Sequence, residues 1–498
     1  MKRRDLLIAG AGIVAQGIGP GLIAHPRAAA EAARPGAGLR AGTGERSIVP
    51  DAKLVNNALH GMMAVRFDER GSELKVKGLA LAAGDERCLL LAIDLVEVPT
   101  PHAERMREAV ARATGLPPDS IVISASHSHS TPFLEPPDGP QPFFDFVVAR
   151  VVEAAGDAVR SLRPATIGYG AANVVGASFN QRVPLPDGRV RFTRDFRAGL
   201  ASGRPVDPRL SVVRIDGADG RPIAGWVRFA AHPACVIFDA PLSAEYPGYM
   251  TDALSRSLEG SPPVLFGYGA SGDLNCVPMF GTEADSRRLG EQLAAAARSV
   301  FESIRTGPIG RLRIATKRIE LPLDPPPTPE ALDREIAEVE RFIAQLDEQP
   351  DLEWVLGANC KPDWPADKKK RHAKPLADWA RLAKRRLAAG GTFPKTWPRR
   401  VTALVLDDWA LVFEAGETLV EVSLALSARS PLTETLLVSV TNGNDGYLGS
   451  DEDRQRGGYE TFTSTRYKMM QDGFRPLPYA TGAAERYIEE LVELIRRL

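Results

Sequence analysis

Short apolar runs alternate along this chain with longer stretches in which apolar residues return every three or four positions. The first kind reads as buried strand and the second as amphipathic helix. Runs at 74–81 and 88–95 flank Ala83-Gly-Asp-Glu-Arg87, which predicts a hairpin. Met106, Val110 and Ala113 then repeat at helical spacing, with His102 near the start and Leu116-Pro-Pro118 closing the helix. A β-branched run opens the next strand at Ile121. Helix is expected over 143–162, strands over 210–215, 223–229 and at 264–266, helix over 285–304 and strand over 312–321. The same alternation returns at 401–406, 409–413 and 436–440 and closes with an amphipathic helix at 484–498. The fold class is therefore α/β, with mixed β-sheet layers flanked by helices. The sequence shows no internal repeat.

Between 325 and 400 the character changes. Asp324-Pro-Pro-Pro-Thr-Pro329 is a rigid break, Thr328 caps a helix with Pro329 at its first position, and apolar residues repeat from Leu332 to Leu346. Leu376, Trp379 and Leu387 suggest a second helix, so this stretch reads as a helical hairpin inserted into the α/β domain. The basic run Lys368-Lys-Lys-Arg371 reads as a solvated face that could touch an anionic membrane peripherally.

Composition adjusts this picture at the ends. Residues 1–30 carry paired arginines, a glycine-diluted apolar stretch and Ala28-Ala-Ala30, the pattern of a Tat-type signal peptide, so the protein is expected to be exported, to a periplasm or beyond. Residues 31–45 read as a flexible leader and 46–498 as the folded domain. No later segment is long and apolar enough to span a membrane. With 62 Lys and Arg against 63 Asp and Glu, no basic field for nucleic acid exists. The four cysteines lie far apart, with no Cys-x-x-Cys, which argues against a zinc ribbon or a disulfide framework. Oligomeric state is not legible.

The stretch that carries chemistry is Ile121-Val-Ile-Ser-Ala-Ser-His-Ser-His-Ser-Thr-Pro132. Residues two apart on a strand share a face, so His127 and His129 should project together at its open end, a common start to a zinc or iron site. His232 follows the 223–229 strand in the same way. Asp273 and Asn275 lie in a glycine-rich loop after Val264-Leu-Phe, Glu417 where a strand meets a helix, and Tyr447 beyond the last strand. Ligands gather at strand ends in α/β sheets, so these groups could converge.

These segments resemble the neutral (non-lysosomal) ceramidase family, over its catalytic domain. Ser126-His-Ser-His-Ser-Thr-Pro132 is similar to that family's Thr-His-Thr-His-Ser-Gly-Pro, and Phe229-Ala-Ala-His-Pro233 with Gly248-Tyr249 to its second histidine segment. Gly272-Asp-Leu-Asn275 resembles its Gly-Asp-Val-Ser, Ala415-Gly-Glu417 its Pro-Gly-Glu, and Gly446-Tyr447 with Tyr459-Glu460 its tyrosine segment. The resemblance implies one zinc ion per chain held by His127, His232, Glu417 and Tyr447. It implies catalytic or substrate-binding roles for His129, Arg182, Asp273, Asn275 and Tyr459. Asp273 or Glu245 could orient a ligand histidine. The implied activity is hydrolysis of the N-acyl amide of ceramide or a related N-acyl lipid by zinc-activated water. Three departures stand out: Asn275 replaces the family's serine, Asn444 replaces a tyrosine, and the chain ends without the immunoglobulin-like C-terminal domain. A zinc esterase or lactonase on another small substrate, or an inactive metal-stabilised binding protein, are the alternatives.

Overall fold

The computed structural model describes residues 38–56, 65–136, 138–237, 240–360, 364–467 and 475–498. The signal peptide expected over 1–30 lies outside them. Eight strands form the larger sheet: β1 (Arg40–Ser47), β2 (Lys75–Ala83), β3 (Glu86–Ile93), β4 (Ile121–Ala125), β5 (Arg163–Asn173), β6 (Arg209–Gly217), β7 (Pro222–Phe229) and β8 (Val264–Tyr268), in the order β8-β7-β6-β5-β1-β2-β3-β4. Four strands form the smaller one, in the order β9 (Leu312–Pro322), β10 (Thr396–Leu406), β11 (Trp409–Glu414) and β12 (Glu434–Val438). The two sheets share a core in which Leu90, Val122, Val213 and Trp226 meet Leu404, Leu411 and Phe413. Helices cover both outer faces. α1 (Thr100–Thr114), α2 (Pro142–Arg160), α3 (Glu245–Ser257) and α4 (Glu283–Ser303) pack on the larger sheet. β4 shows why its run is wholly apolar: Ile121, Ile123 and Ala125 face the helices while Val122 faces the other sheet. The architecture is the layered α/β fold expected, and among the described residues there is no immunoglobulin-like sandwich.

One connection recurs three times. An antiparallel hairpin is followed by a helix and a third strand that returns parallel to the second: β2-β3-α1-β4, β6-β7-α3-β8 and β10-β11-α7-β12, where α7 is Val420–Arg429. No sequence similarity marks these units, because shared topology asks only for apolar positions.

The expected flexible leader is corrected at its end, for 40–45 belong to β1, paired with β2 from Arg40↔Ala82 to Ser47↔Lys75. The glycines that suggest flexibility have a packing cause. A Cβ on Gly42 would collide with the carbonyl of Ala158, and one on Gly44 with that of Ala154, so α2 lies directly on the backbone of β1. Gly44→Ala should therefore destabilise the fold by ~1–3 kcal/mol, read by chemical denaturation.

The insertion leaves the smaller sheet at Pro322 and returns at Thr396, two residues paired in register, so it extends a hairpin without breaking the sheet. α5 (Pro329–Gln345) and α6 (Ala366–Ala388) form the expected helical pair, with Thr328 capping α5. The basic run departs from a solvated face. Lys369 is buried and donates to the carbonyls of Pro350 and Leu352, Lys370 pairs with Asp347 at 2.5 Å, and Lys368 lies 4.6 Å over the Trp364 ring. α8 (Ala483–Arg497) covers the smaller sheet through Tyr487, Ile488 and Leu491. No helix among the described residues is long and apolar enough to cross a membrane.

Candidate metal centre and cavity

Three strand ends deliver three side chains to one point. His127 stands two residues beyond β4, His232 three beyond β7 and Glu417 three beyond β11. Strand alternation is not what brings His127 and His129 together, for β4 stops at Ala125. The chain then turns, with His127 left-handed at φ 66° and its N–H donated to the carbonyl of Leu95. A non-glycine residue held there carries backbone strain, a recurrent mark of functional sites. The two rings end 5.0 Å apart between centroids. His232 is fixed by its own N–H, which reaches the carbonyl of Leu274 at 2.9 Å.

Both ligand-type histidines are oriented from behind. Nδ1 of His127 lies 2.5 Å from the carbonyl of Val96, and Nδ1 of His232 lies 3.0 Å from that of Leu274 and 2.9 Å from the Tyr268 hydroxyl. A carbonyl can only accept, so each Nδ1 carries the proton and each Nε2 presents a lone pair. Both lone pairs aim at the same atom: Oε2 of Glu417 is 3.3 Å from each Nε2. Nε2 of His127 and Oε2 of Glu417 are buried and make no hydrogen bond among the described residues. Three acceptors facing one another in a dry site repel unless a cation lies between them. Zinc bonded to nitrogen and oxygen at about 2.0–2.1 Å in a tetrahedron has ligand–ligand edges of about 3.3 Å, so these residues fit that ion. His129 brings a third imidazole, and ring nitrogens of His127, His129 and His232 all lie within 4.8 Å of one another.

The surroundings hold Glu417 in place. Asn444 donates to its Oε1 at 3.1 Å and, through the same amide, to Glu97 at 2.7 Å. Burial pushes the Glu417 carboxyl up; protonated rings of His127 and His232 would overrule it and hold it well below the usual carboxylate range, and with their Nε2 lone pairs free that role passes to a cation between them. Tyr447 pairs in register with Glu417 across two short parallel strands, and its ring meets that of Tyr459 at 5.7 Å. Burial, then the charge of Glu417, raises both phenols, which keeps them protonated at neutral pH. Both line a cavity of about 150 Å³ with His127, His129 and Glu417. Tyr268→Phe should weaken metal binding about tenfold by loosening His232, measured by competition with a chelator.

Three expected site residues lie elsewhere. Arg182 is fully buried and does not line the cavity; its guanidinium is taken by Glu460 at 2.5 Å, Asp453 at 3.3 Å and the carbonyls of Asp453 and Gly457. Asp273 accepts from Asn180 at 2.7 Å and from the backbone N–H of Val420 at 2.8 Å, which ties down the first turn of α7. Burial, then Asp453, pushes its carboxyl up to about 7. Asn275 donates to Gln181, which in turn donates to Glu460 at 2.6 Å. Glu245 takes the backbone N–H groups of Cys235 and Val236, so neither it nor Asp273 orients a ligand histidine. Backbone carbonyls and Tyr268 do that work.

Sequence reasoning passed over Glu97, Tyr467 and Arg475, all on the cavity wall. Glu97 carried a usable signal, a carboxylate just past the apolar run that becomes β3. Tyr467 and Arg475 had none, since Tyr467 ends a single helical turn, Ser464–Tyr467, too short to show a periodicity, and Arg475 sits in irregular chain. The insertion reaches this wall from behind. His372 of α6 stacks on Tyr467 at 5.1 Å, with its Nε2 3.1 Å from the Tyr467 hydroxyl.

No family model and no curated protein matches the sequence. Solved structures do match. Neutral ceramidase from Pseudomonas aeruginosa superposes with a TM-score of 0.64 at 17% identity, over 93% of this chain and 75% of that one. The fold is that of neutral ceramidase. A ceramidase complexed with C2 gives a TM-score of 0.63 at 16% identity, over 93% and 76% of the two chains. At this identity the neutral ceramidase likeness carries the architecture, and the chemistry rests on the side chains described above.

Proposed function

We propose that this chain is a zinc-dependent amidohydrolase that cleaves the N-acyl amide of ceramide or a related N-acyl lipid. The observation that carries the reading is the meeting of two Nε2 lone pairs and one carboxylate oxygen at 3.3 Å, inside a neutral ceramidase fold. His127, His232 and Glu417 would hold the ion, with Tyr447 beside them. When bound, zinc acidifies a water at neutral pH and polarises the amide carbonyl. His129 lines the cavity beside the ligand pair and hands a proton to the departing amine. The Tyr447 and Tyr459 hydroxyls remain protonated and donate to the oxyanion that develops on the carbonyl. Asn275 has no part in the bond-breaking step, which requires no protein nucleophile. The twin-arginine pattern of residues 1–30 supports export, so the proposed activity would act outside the cytoplasm.

Cavity size favours a second reading of the substrate. About 150 Å³ is well below the ~300–1,000 Å³ of sites that enclose drug-sized ligands. That volume suits a small amide or ester better than an enclosed long acyl chain. Hydrolysis should be followed across N-acyl amides of increasing chain length, with matched esters alongside. The lipid reading predicts a kcat/KM that rises with chain length; a maximum at acetyl or butyryl would replace ceramide by a small substrate. Zinc-replete protein with no turnover on any of them would leave a binding protein.

A further inference from the structure

We infer that Cys235 and Cys276 form a disulfide that cross-links the two segments holding His232 in place. They are 41 residues apart in sequence, yet their sulfurs lie 3.2 Å apart, and both side chains are fully buried. A covalent S–S bond of about 2.0 Å needs the sulfurs to close by little more than ~1 Å. Both backbones are already fixed. His232 bridges to Asn275 in parallel, the Cys235 N–H is held by Glu245 at 2.8 Å, and Cys276 ends a short strand paired with Ser178–Asn180. Cys88 and Cys360 sit in separate apolar cores, so pairing is unambiguous. Among the described residues the pair belongs to no group of three or more metal-type side chains at ligand distance.

The chemistry requires a disulfide donor, such as oxidised glutathione or a protein thiol oxidase. One cysteine thiolate attacks a donor sulfur and expels a thiolate, and the second cysteine then displaces the other half. The pair loses two electrons and two protons, and the donor disulfide becomes two thiols. Hydrogen bonding to Cys276, then burial, pushes the Cys235 thiol up, so exchange is slow once the chain has closed. The bond therefore forms during folding and locks the loop between β7 and α3 against the loop after β8.

The test is to refold the full chain in a glutathione buffer poised as in an oxidising compartment. It is quenched with maleimide in denaturant, and the native protein is incubated and trapped in parallel. Expected are two alkylated thiols of the four, a peptide pair linking Cys235 to Cys276, and a higher melting temperature than the reduced protein. Cys276→Ser should leave all three remaining thiols open to alkylation. Four alkylated thiols in wild-type protein, or a link to Cys88 or Cys360, would overturn the inference. Neither readout requires turnover.

Discussion

Replacing Glu417 with glutamine should remove bound metal and hydrolysis together while leaving the fold standing. The carboxylate supplies the negative charge that offsets a dication between two neutral imidazoles, and its Oε2 lies 3.3 Å from the Nε2 of each. Glutamine keeps the shape and can still accept from Asn444, so packing is preserved. It cannot supply the charge, and its amide nitrogen has no lone pair to offer. Loss of an activating ion costs several kcal/mol of transition-state stabilisation, a fall in kcat of about 10³-fold. Metal content by mass spectrometry should drop with activity, while the melting temperature of metal-stripped wild-type and variant should agree. A variant that keeps its metal would move the third ligand position to His129.

Arg182→Ala should cost the fold rather than substrate affinity alone. The guanidinium sits at zero exposure between Glu460 and Asp453 and also closes two backbone carbonyls. Removing it strands buried carboxylates, which typically destabilises by ~3–5 kcal/mol. Arg204 still faces Asp453 at 3.0 Å and Gln181 still faces Glu460, so the lower end of that range is expected. Lysine should not rescue, because one ammonium cannot span the fork of partners. Urea denaturation of the variant decides the matter. A wild-type midpoint with a raised KM would mean that Arg182 binds substrate, as the ceramidase resemblance implies.

Much of this site was legible because each metal-type ligand follows an apolar run. His127, His232 and Glu417 are polar residues two or three positions past a strand, and the sheets bring their ends together. The roles of Arg182, Asp273 and Asn275 were not legible in the same way. Loop composition does not reveal which polar groups are buried, and these three turn out to join a hydrogen-bonded network behind the cavity. β1 was hidden because glycine reads as flexibility, whereas Gly42 and Gly44 are there to admit α2. The helical insertion was visible from its proline break and four-three spacing. Its contact with Tyr467 was not, because no periodicity links two segments so far apart. Long-range coincidence also hid the cysteine pair.

The most direct test of the metal centre is anomalous diffraction from crystals of the protein grown with zinc. One peak above the zinc edge is expected, bonded to Nε2 of His127, Nε2 of His232 and Oε2 of Glu417 at about 2.0–2.2 Å. A well-ordered crystal with no peak there, or with zinc bound only at other residues, would contradict it.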